Sequence, residues 1–163
     1  AAAALGLQAT IHAGEADGPE SVREAVERLG AVRIGHGVRA QEDPDVLAML
    51  RERRIPLEMC PTSNIQTRAV SGWDAYPLRR YAADGLIVTA NTDNPTVSGT
   101  TIAEEYLLLH DKLGMTPREI AALILNAADA AFLEPEAKTA LKARVRSALA
   151  SLGLAPDVPD SRA

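Results

Sequence analysis

Two hydrophobic patterns alternate along the first two thirds of the chain. Short apolar runs occupy residues 8–12, 32–36, 55–60 and 86–90. Each has the length of a buried strand and ends in polar or turn-forming residues. Between the runs, apolar residues recur every three or four positions. After Pro19, at a first-turn position that needs no amide donor, Val22, Ala25, Val26 and Leu29 mark the buried face of a helix stopped at Gly30. Asp43 and Pro44 form an N-cap and first-turn pair for a helix burying Val46, Leu47 and Leu50, with Met49 beside them. Residues 77–84 make a short helix ended by Gly85. Four strands with intervening helices predict an α/β fold built on a parallel sheet or barrel.

From Thr101 the pattern is helical only. Residues 102–113 end at Gly114, a good C′ residue. Thr116 and Glu119 read as a capping box, opening a helix with Ile120, Leu123, Ile124 and Ala127 on one face. A last helix over residues 136–152 carries Leu141, Val145, Leu149 and Leu152. One domain over residues 1–152 is expected, followed by a flexible tail at 153–163, which contains Pro156 and Pro159. A closed barrel needs eight βα units, and an open half would leave two long edges. With no initiator Met and a strand almost at the start, the pattern suggests a piece of a longer chain.

Composition narrows the function. The 163 residues carry 17 basic and 22 acidic side chains, a net charge of −5, without a basic stripe interleaved with aromatics. This argues against a nucleic-acid backbone or an anionic membrane as partner. No run of about 18 apolar residues suggests a membrane span, and AAAALGL at the start lacks the basic region of a signal peptide. The single cysteine, Cys60, cannot form an internal disulfide, which fits a cytoplasmic setting.

The candidate chemistry sits at strand ends: IHAGE at 11–15, RIGHG at 33–37 and TANTDNP at 89–95. At the C-terminal ends of parallel strands such residues converge on one face. His12 offers an imidazole for zinc, Glu15 a carboxylate that moves a proton, and Gly14 a sharp turn or close approach to a ligand. A loop histidine with a surface glutamate is the alternative. His36 between two glycines suggests backbone crowded against something, a bulge that re-aims the ring, or a core histidine satisfied by a carbonyl. Asp93 reads equally as turn chemistry. His110, near a helix C-terminus, reads as structural or solvent-facing. Cys60 reads as a small core residue, and Trp73 either packs in a loop or walls a pocket.

In their order, HAGE, GHG and NTDNP resemble the C-terminal half of the adenosine deaminase family, zinc enzymes of TIM-barrel fold in the amidohydrolase superfamily. GPES at 18–21 and LEMCPTSNIQT at 57–67 extend the likeness, the latter in a bacterial form. The resemblance implies the C-terminal half of a TIM (β/α)8 barrel followed by C-terminal helices. It implies hydrolytic deamination of adenosine or deoxyadenosine to inosine or deoxyinosine and ammonia, in purine salvage. It also implies His12 and Asp93 as zinc ligands, Glu15 as the acid that protonates purine N1, and His36 as the group that orients or deprotonates the zinc-bound water. Asp93 would also hydrogen-bond the attacking hydroxide. Gly14 and Asn94 would bind substrate. Many members carry Asp at the position of Asn94. An Asn amide donates to purine N7 where an ionised Asp does not, so adenine or aminofutalosine stays open as substrate. The family's His-x-His pair has no match here. Two zinc ligands fall short of the usual three, so little activity is expected of this chain by itself; a non-catalytic half-barrel is the rival reading.

Overall fold

A computed structural model describes residues 3–154. Its centre is a four-stranded parallel sheet in the order of the sequence: β1 (Thr10–Ala13), β2 (Arg33–His36), β3 (Leu57–Met59) and β4 (Val88–Ala90). The register sets Ile11 beside Ile34, Ile34 beside Leu57, and Leu57 beside Val88. That row faces the covering helices, and Ile34, Leu57 and Val88 are fully buried. All four strands are shorter than the apolar runs that announce them. β1 also lies later than expected, at 10–13 rather than 8–12. The leading apolar residues of the other runs, such as Ile55 and Leu86, are core side chains just before the ladder.

Helices alternate with the strands: α1 (Pro19–Glu27), α2 (Pro44–Glu52), α3 (Pro61–Gln66), α4 (Leu78–Ala83) and α5 (Pro95–Ser98). Proline opens α1, α2, α3 and α5 at a first-turn position, where its missing N–H costs nothing. α1 buries Val22, Ala25 and Val26 but stops before Leu29, which is 62% exposed instead of core. In α2, Val46, Met49 and Leu50 are buried while Leu47 is only half-buried. The Asp43 side chain caps α2 by accepting from the Asp45 amide at 2.8 Å.

Three longer helices follow: α6 (Ile102–Leu113), α7 (Pro117–Ala130) and α8 (Pro135–Ser151). Both α6 and α7 start with complete capping boxes, Thr101 with Glu104 and Thr116 with Glu119. The buried face of α7 is Ala121, Leu123 and Ala128, and Ala127 is exposed, which corrects the expected face. Small residues bring α7 close to the sheet, where Asn126 donates to the Val88 carbonyl at 3.0 Å. Ile120 and Ile124 turn sideways into an apolar groove of about 480 Å³ shared with Leu149 and Leu154. On α8 only Leu149 is buried; Leu141 and Val145 are half-buried, and Leu152 is 70% exposed. Gly153 and Leu154 complete its C-terminal turn through bonds to Ala150 and Leu149. The rest of the expected tail lies outside the described residues.

Candidate active site

The turn after β1 delivers His12 and Glu15 to the C-terminal edge of the sheet. Gly14 makes the turn possible, with φ +66°, and lets β1 approach β2 closely. A Cβ at Gly14 would lie 2.6 Å from Val22 Cγ2 and 3.1 Å from Gly37 Cα. The Gly14 amide donates to Ser21 Oγ at 2.9 Å and its carbonyl accepts from the Arg39 amide at 2.8 Å. Its close approach is therefore to protein, with both backbone polar groups bonded internally.

Strand alternation would place His36 with Ile34, on the face opposite His12. Instead His36 takes a left-handed conformation, φ 67°, followed by Gly37 at φ 67°. The kink ends β2 and leaves the His36 and His12 ring centroids 4.2 Å apart. Asp93, at the end of the β4 segment, is also left-handed with φ 58°. Arg54 and Arg68 share this conformation, but they follow helix ends, where it is routine. At strand ends it costs about 1–3 kcal/mol and falls on two of the residues singled out for chemistry.

His12 Nε2 lies 2.8 Å from Glu15 Oε2, and His36 Nδ1 lies 3.6 Å from Glu15 Oε1. The candidate ligand atoms of His12, Glu15 and His36 all fall within 4.8 Å of one another. His12 is open to solvent, its side chain 64% exposed, whereas those of Glu15 and His36 are 11% and 4% exposed. Burial lowers the His36 pKa, with the Glu15 carboxylate opposing the shift. A neutral imidazole, which a metal or a proton transfer requires, is thereby favoured. Asp93 lies outside this tight trio but close enough to act electrostatically on His36, and the two line an open cleft of about 520 Å³ with Cys60 and Asn91. Ser63 Oγ donates to Asp93 Oδ2 at 2.7 Å and fixes the carboxylate. Nitrogen and oxygen donors of this kind suit zinc. The donor atoms brought within ligand distance of one another are those of His12, Glu15 and His36; Asp93 is not part of that group.

Asn94 has a local task. Its Oδ1 accepts from the Thr96 and Val97 amides at 3.1 and 3.0 Å, capping α5. Its Nδ2 has no partner among the described residues and remains available as a donor. His110 is structural: its Nδ1 donates to the Met115 carbonyl at 2.8 Å, just past α6. Burial pushes the Cys60 thiol up to about 12, so it stays protonated and unreactive. Trp73 packs edge-on against Tyr76, ring centroids 6.0 Å apart.

The sequence reading missed the platform beneath these groups. Helix α3 occupies the segment after Pro61 that carries no apolar period. It supplies Ser63 to Asp93, and Asn64 to both Glu15 and His36 at 3.0 Å. Thr67, just after the helix, donates to Glu15 Oε1 at 3.1 Å. Asn64 is fully buried, and Tyr76 Oη donates to its Oδ1 at 3.2 Å. Pro61 at a helix start and two hydroxyl residues near it were the available signals. The α3 N-terminus is held from α6: the Thr62 amide donates to Glu105 Oε2 at 3.1 Å, and Glu105 is fully buried.

A family model for adenosine deaminase matches residues 1–148. The chain belongs to the adenosine deaminase family. It is 50% identical over 141 residues to the adenosine deaminase of Haemophilus ducreyi, covering 86% of this chain and 41% of that protein. It is 44% identical over 144 residues to the aminodeoxyfutalosine deaminase of Streptomyces avermitilis, covering 88% of this chain and 40% of the relative. The chain thus spans about two fifths of the length of these curated relatives. Among solved structures, the adenine deaminase of Arthrobacter aurescens superposes with a TM-score of 0.86 at 33% identity, covering 91% of this chain and 45% of that one. An amidohydrolase of Burkholderia ambifaria with bound zinc superposes at 0.84 and 28% identity, over 93% of this chain and 43% of that one. The structural neighbours include deaminases of TIM-barrel fold, and the four βα units with their parallel sheet form half of such a barrel.

Proposed function

We infer that this chain carries the proton-handling part of a zinc-dependent site that deaminates a 6-aminopurine nucleoside, adenosine or deoxyadenosine first. The observation that carries the reading is Glu15 between His12 and His36 at the strand ends, in a chain of the adenosine deaminase family. Overall, water adds at purine C6, the bond from C6 to the exocyclic nitrogen breaks, and ammonia leaves. A bound zinc ion, held in part by His12 and Asp93, supplies Lewis acidity that makes water nucleophilic near neutral pH.

The chain's own groups do the rest. Glu15 delivers a proton to ring N1, which makes C6 electron-poor and open to attack. His36, held neutral by burial, hydrogen-bonds the incoming oxygen. Asp93, fixed by Ser63, accepts from that oxygen while serving as a ligand. Asn94 Nδ2 suits purine N7, an acceptor, and Gly14 keeps the loop beside the substrate narrow. Purine salvage in the cytoplasm is the setting this chemistry serves, with a small molecule as partner and neither nucleic acid nor membrane.

Asn94, together with the adenine and aminodeoxyfutalosine deaminases among the similar proteins, supports a second reading in which the substrate is another 6-aminopurine. The test is a panel of adenosine, deoxyadenosine, adenine and aminodeoxyfutalosine, run with zinc on this chain and on a polypeptide extended to the relatives' length. The extended protein is expected to turn over one panel member. Glu15→Gln should lower that rate by about 10²–10⁴-fold, the usual worth of a positioned acid, with zinc still bound. Retained turnover removes Glu15 from the mechanism. Full turnover by the 163-residue chain would show that its ligand set needs no completion. A half-barrel without catalysis would show neither turnover nor tight zinc in either form.

A further inference from the structure

Asn64 faces three partners from within the core, and their chemistry leaves one arrangement of protons. Its Nδ2 lies 3.0 Å from Glu15 Oε1, which also takes the Thr67 hydroxyl and is an acceptor whether or not Oε2 carries the proton that Glu15 delivers. The opposite amide orientation would set Asn64 Oδ1 against that carboxylate. Tyr76 fixes the other end: its hydroxyl donates to Asn64 Oδ1 at 3.2 Å. Burial raises the Tyr76 pKa well above the ordinary phenol value, so the phenol keeps its proton to donate. The second Nδ2 hydrogen then points at His36 Nδ1, also 3.0 Å away. A nitrogen that receives a hydrogen carries none of its own.

We propose that Asn64, oriented by Tyr76 and Glu15, is a positioning residue that fixes neutral His36 as the Nε2–H tautomer. His36 thereby enters the reaction as a hydrogen-bond donor through Nε2. It cannot act there as a base unless its Nδ1 first takes a proton, which would oppose the Asn64 amide. Of the two roles implied for His36, orienting and deprotonating a water, this selects orienting. The inference deepens the deamination reading and rests on it only for which oxygen the Nε2 proton meets; the tautomer itself depends on Asn64, Tyr76 and Glu15 alone.

The chain suits a direct test because it holds only three histidines. With ¹⁵N-labelled histidine at about pH 8, above the ordinary imidazole pKa, His36 should show a pyridine-like Nδ1 and a pyrrole-like Nε2. His110 should show the reverse, because its Nδ1 donates to the Met115 carbonyl; His110→Gln assigns it, and its signal in the other samples certifies the native fold. In Asn64→Asp both donors become an acceptor, and His36 Nδ1 should turn pyrrole-like. A second readout needs no variant: a ¹⁵N–¹⁵N coupling across the hydrogen bond from Asn64 Nδ2 to His36 Nδ1. A pyrrole-like Nδ1 in the unmodified chain overturns the proposal. So does a pyridine-like Nδ1 retained in Asn64→Asp with the His110 signal intact, or a missing coupling when both resonances are seen. Loss of deaminase activity alone leaves the tautomer standing and counts against the functional reading instead.

Discussion

The strand-end face and the outer helices are built by opposite rules. In α6 and α7 the backbone follows local preference: each begins with a reciprocal capping box, and Gly114 closes α6 in the left-handed conformation glycine tolerates best. At the strand ends, His36 and Asp93 adopt that conformation without being glycine. Gly14 and Gly37 also approach neighbours so closely that a single methyl group would collide. The capping boxes of α6 and α7 and the glycine after α6 keep strain low there. The strand ends store it, and their side chains converge. Strain is thus a second pointer to the site, independent of any motif.

Gly37→Ala should show the contrast most strongly. The new Cβ would lie 2.7 Å from Leu57 Cδ2 with φ at +67°, so left-handed strain and overpacking combine to a loss of about 2–4 kcal/mol, read by urea unfolding. A loss smaller than that of Thr116→Ala would erase the distinction between the two regions. Thr116→Ala removes an N-cap and should cost about 1 kcal/mol, with no effect on zinc affinity.

Two glycine substitutions sharpen the comparison further. Arg54→Gly relieves a left-handed residue beside a helix end and should stabilise by about 0.5–1 kcal/mol. Asp93→Gly relieves the same strain but removes the bond from Ser63. Its melting temperature should stay near that of the parent while zinc binding weakens. A large drop in stability would mean that Asp93 serves the fold rather than the site.

The smallest effect concerns pH. The Glu119 carboxyl is held below its usual range: its bonds to the Thr116 amide and to Arg79 outweigh the opposing effect of burial. A carboxylate with a depressed folded pKa adds stability above its unfolded value, about 4.3. That contribution is lost as pH falls through the folded value. The stability gap between the parent chain and Glu119→Gln should therefore be present at neutral pH and shrink below about pH 4.3. A gap unchanged into acid would assign the effect to packing.

These differences also explain what could be read in advance. The bounds of α6 follow from its apolar period and Gly114, since both are local signals. The alternation of strands and helices was legible for the same reason, and so were His12, Glu15, His36 and Asp93 as candidates. Helix α5 escaped because four residues are too few to show a period, and α3 because its six, Pro-Thr-Ser-Asn-Ile-Gln, include a single large apolar side chain. The face of α7 was misjudged in part: Leu123 is buried as expected, but Ala121 and Ala128 complete the buried face while Ile120 and Ile124 are half-buried along the groove. Asn64 lay inside the segment at 57–67 that carries the family likeness, but nothing there marked its role. A buried amide is recognised only when its three partners, remote in the chain, are seen around it.

Glu105 has a kinetic meaning as well as a geometric one. Its carboxylate takes the Thr62 amide across from α6, so that amide meets solvent only when the two helices part. Its hydrogen-exchange rate is a clock for one event, the lifting of the outer layer from the floor of the site. If Thr62 exchanges at the pace of the α6 core amides, floor and outer layer breathe as one cooperative unit. If it exchanges far sooner, the floor has its own rhythm, and Asp93 and His36 move with it.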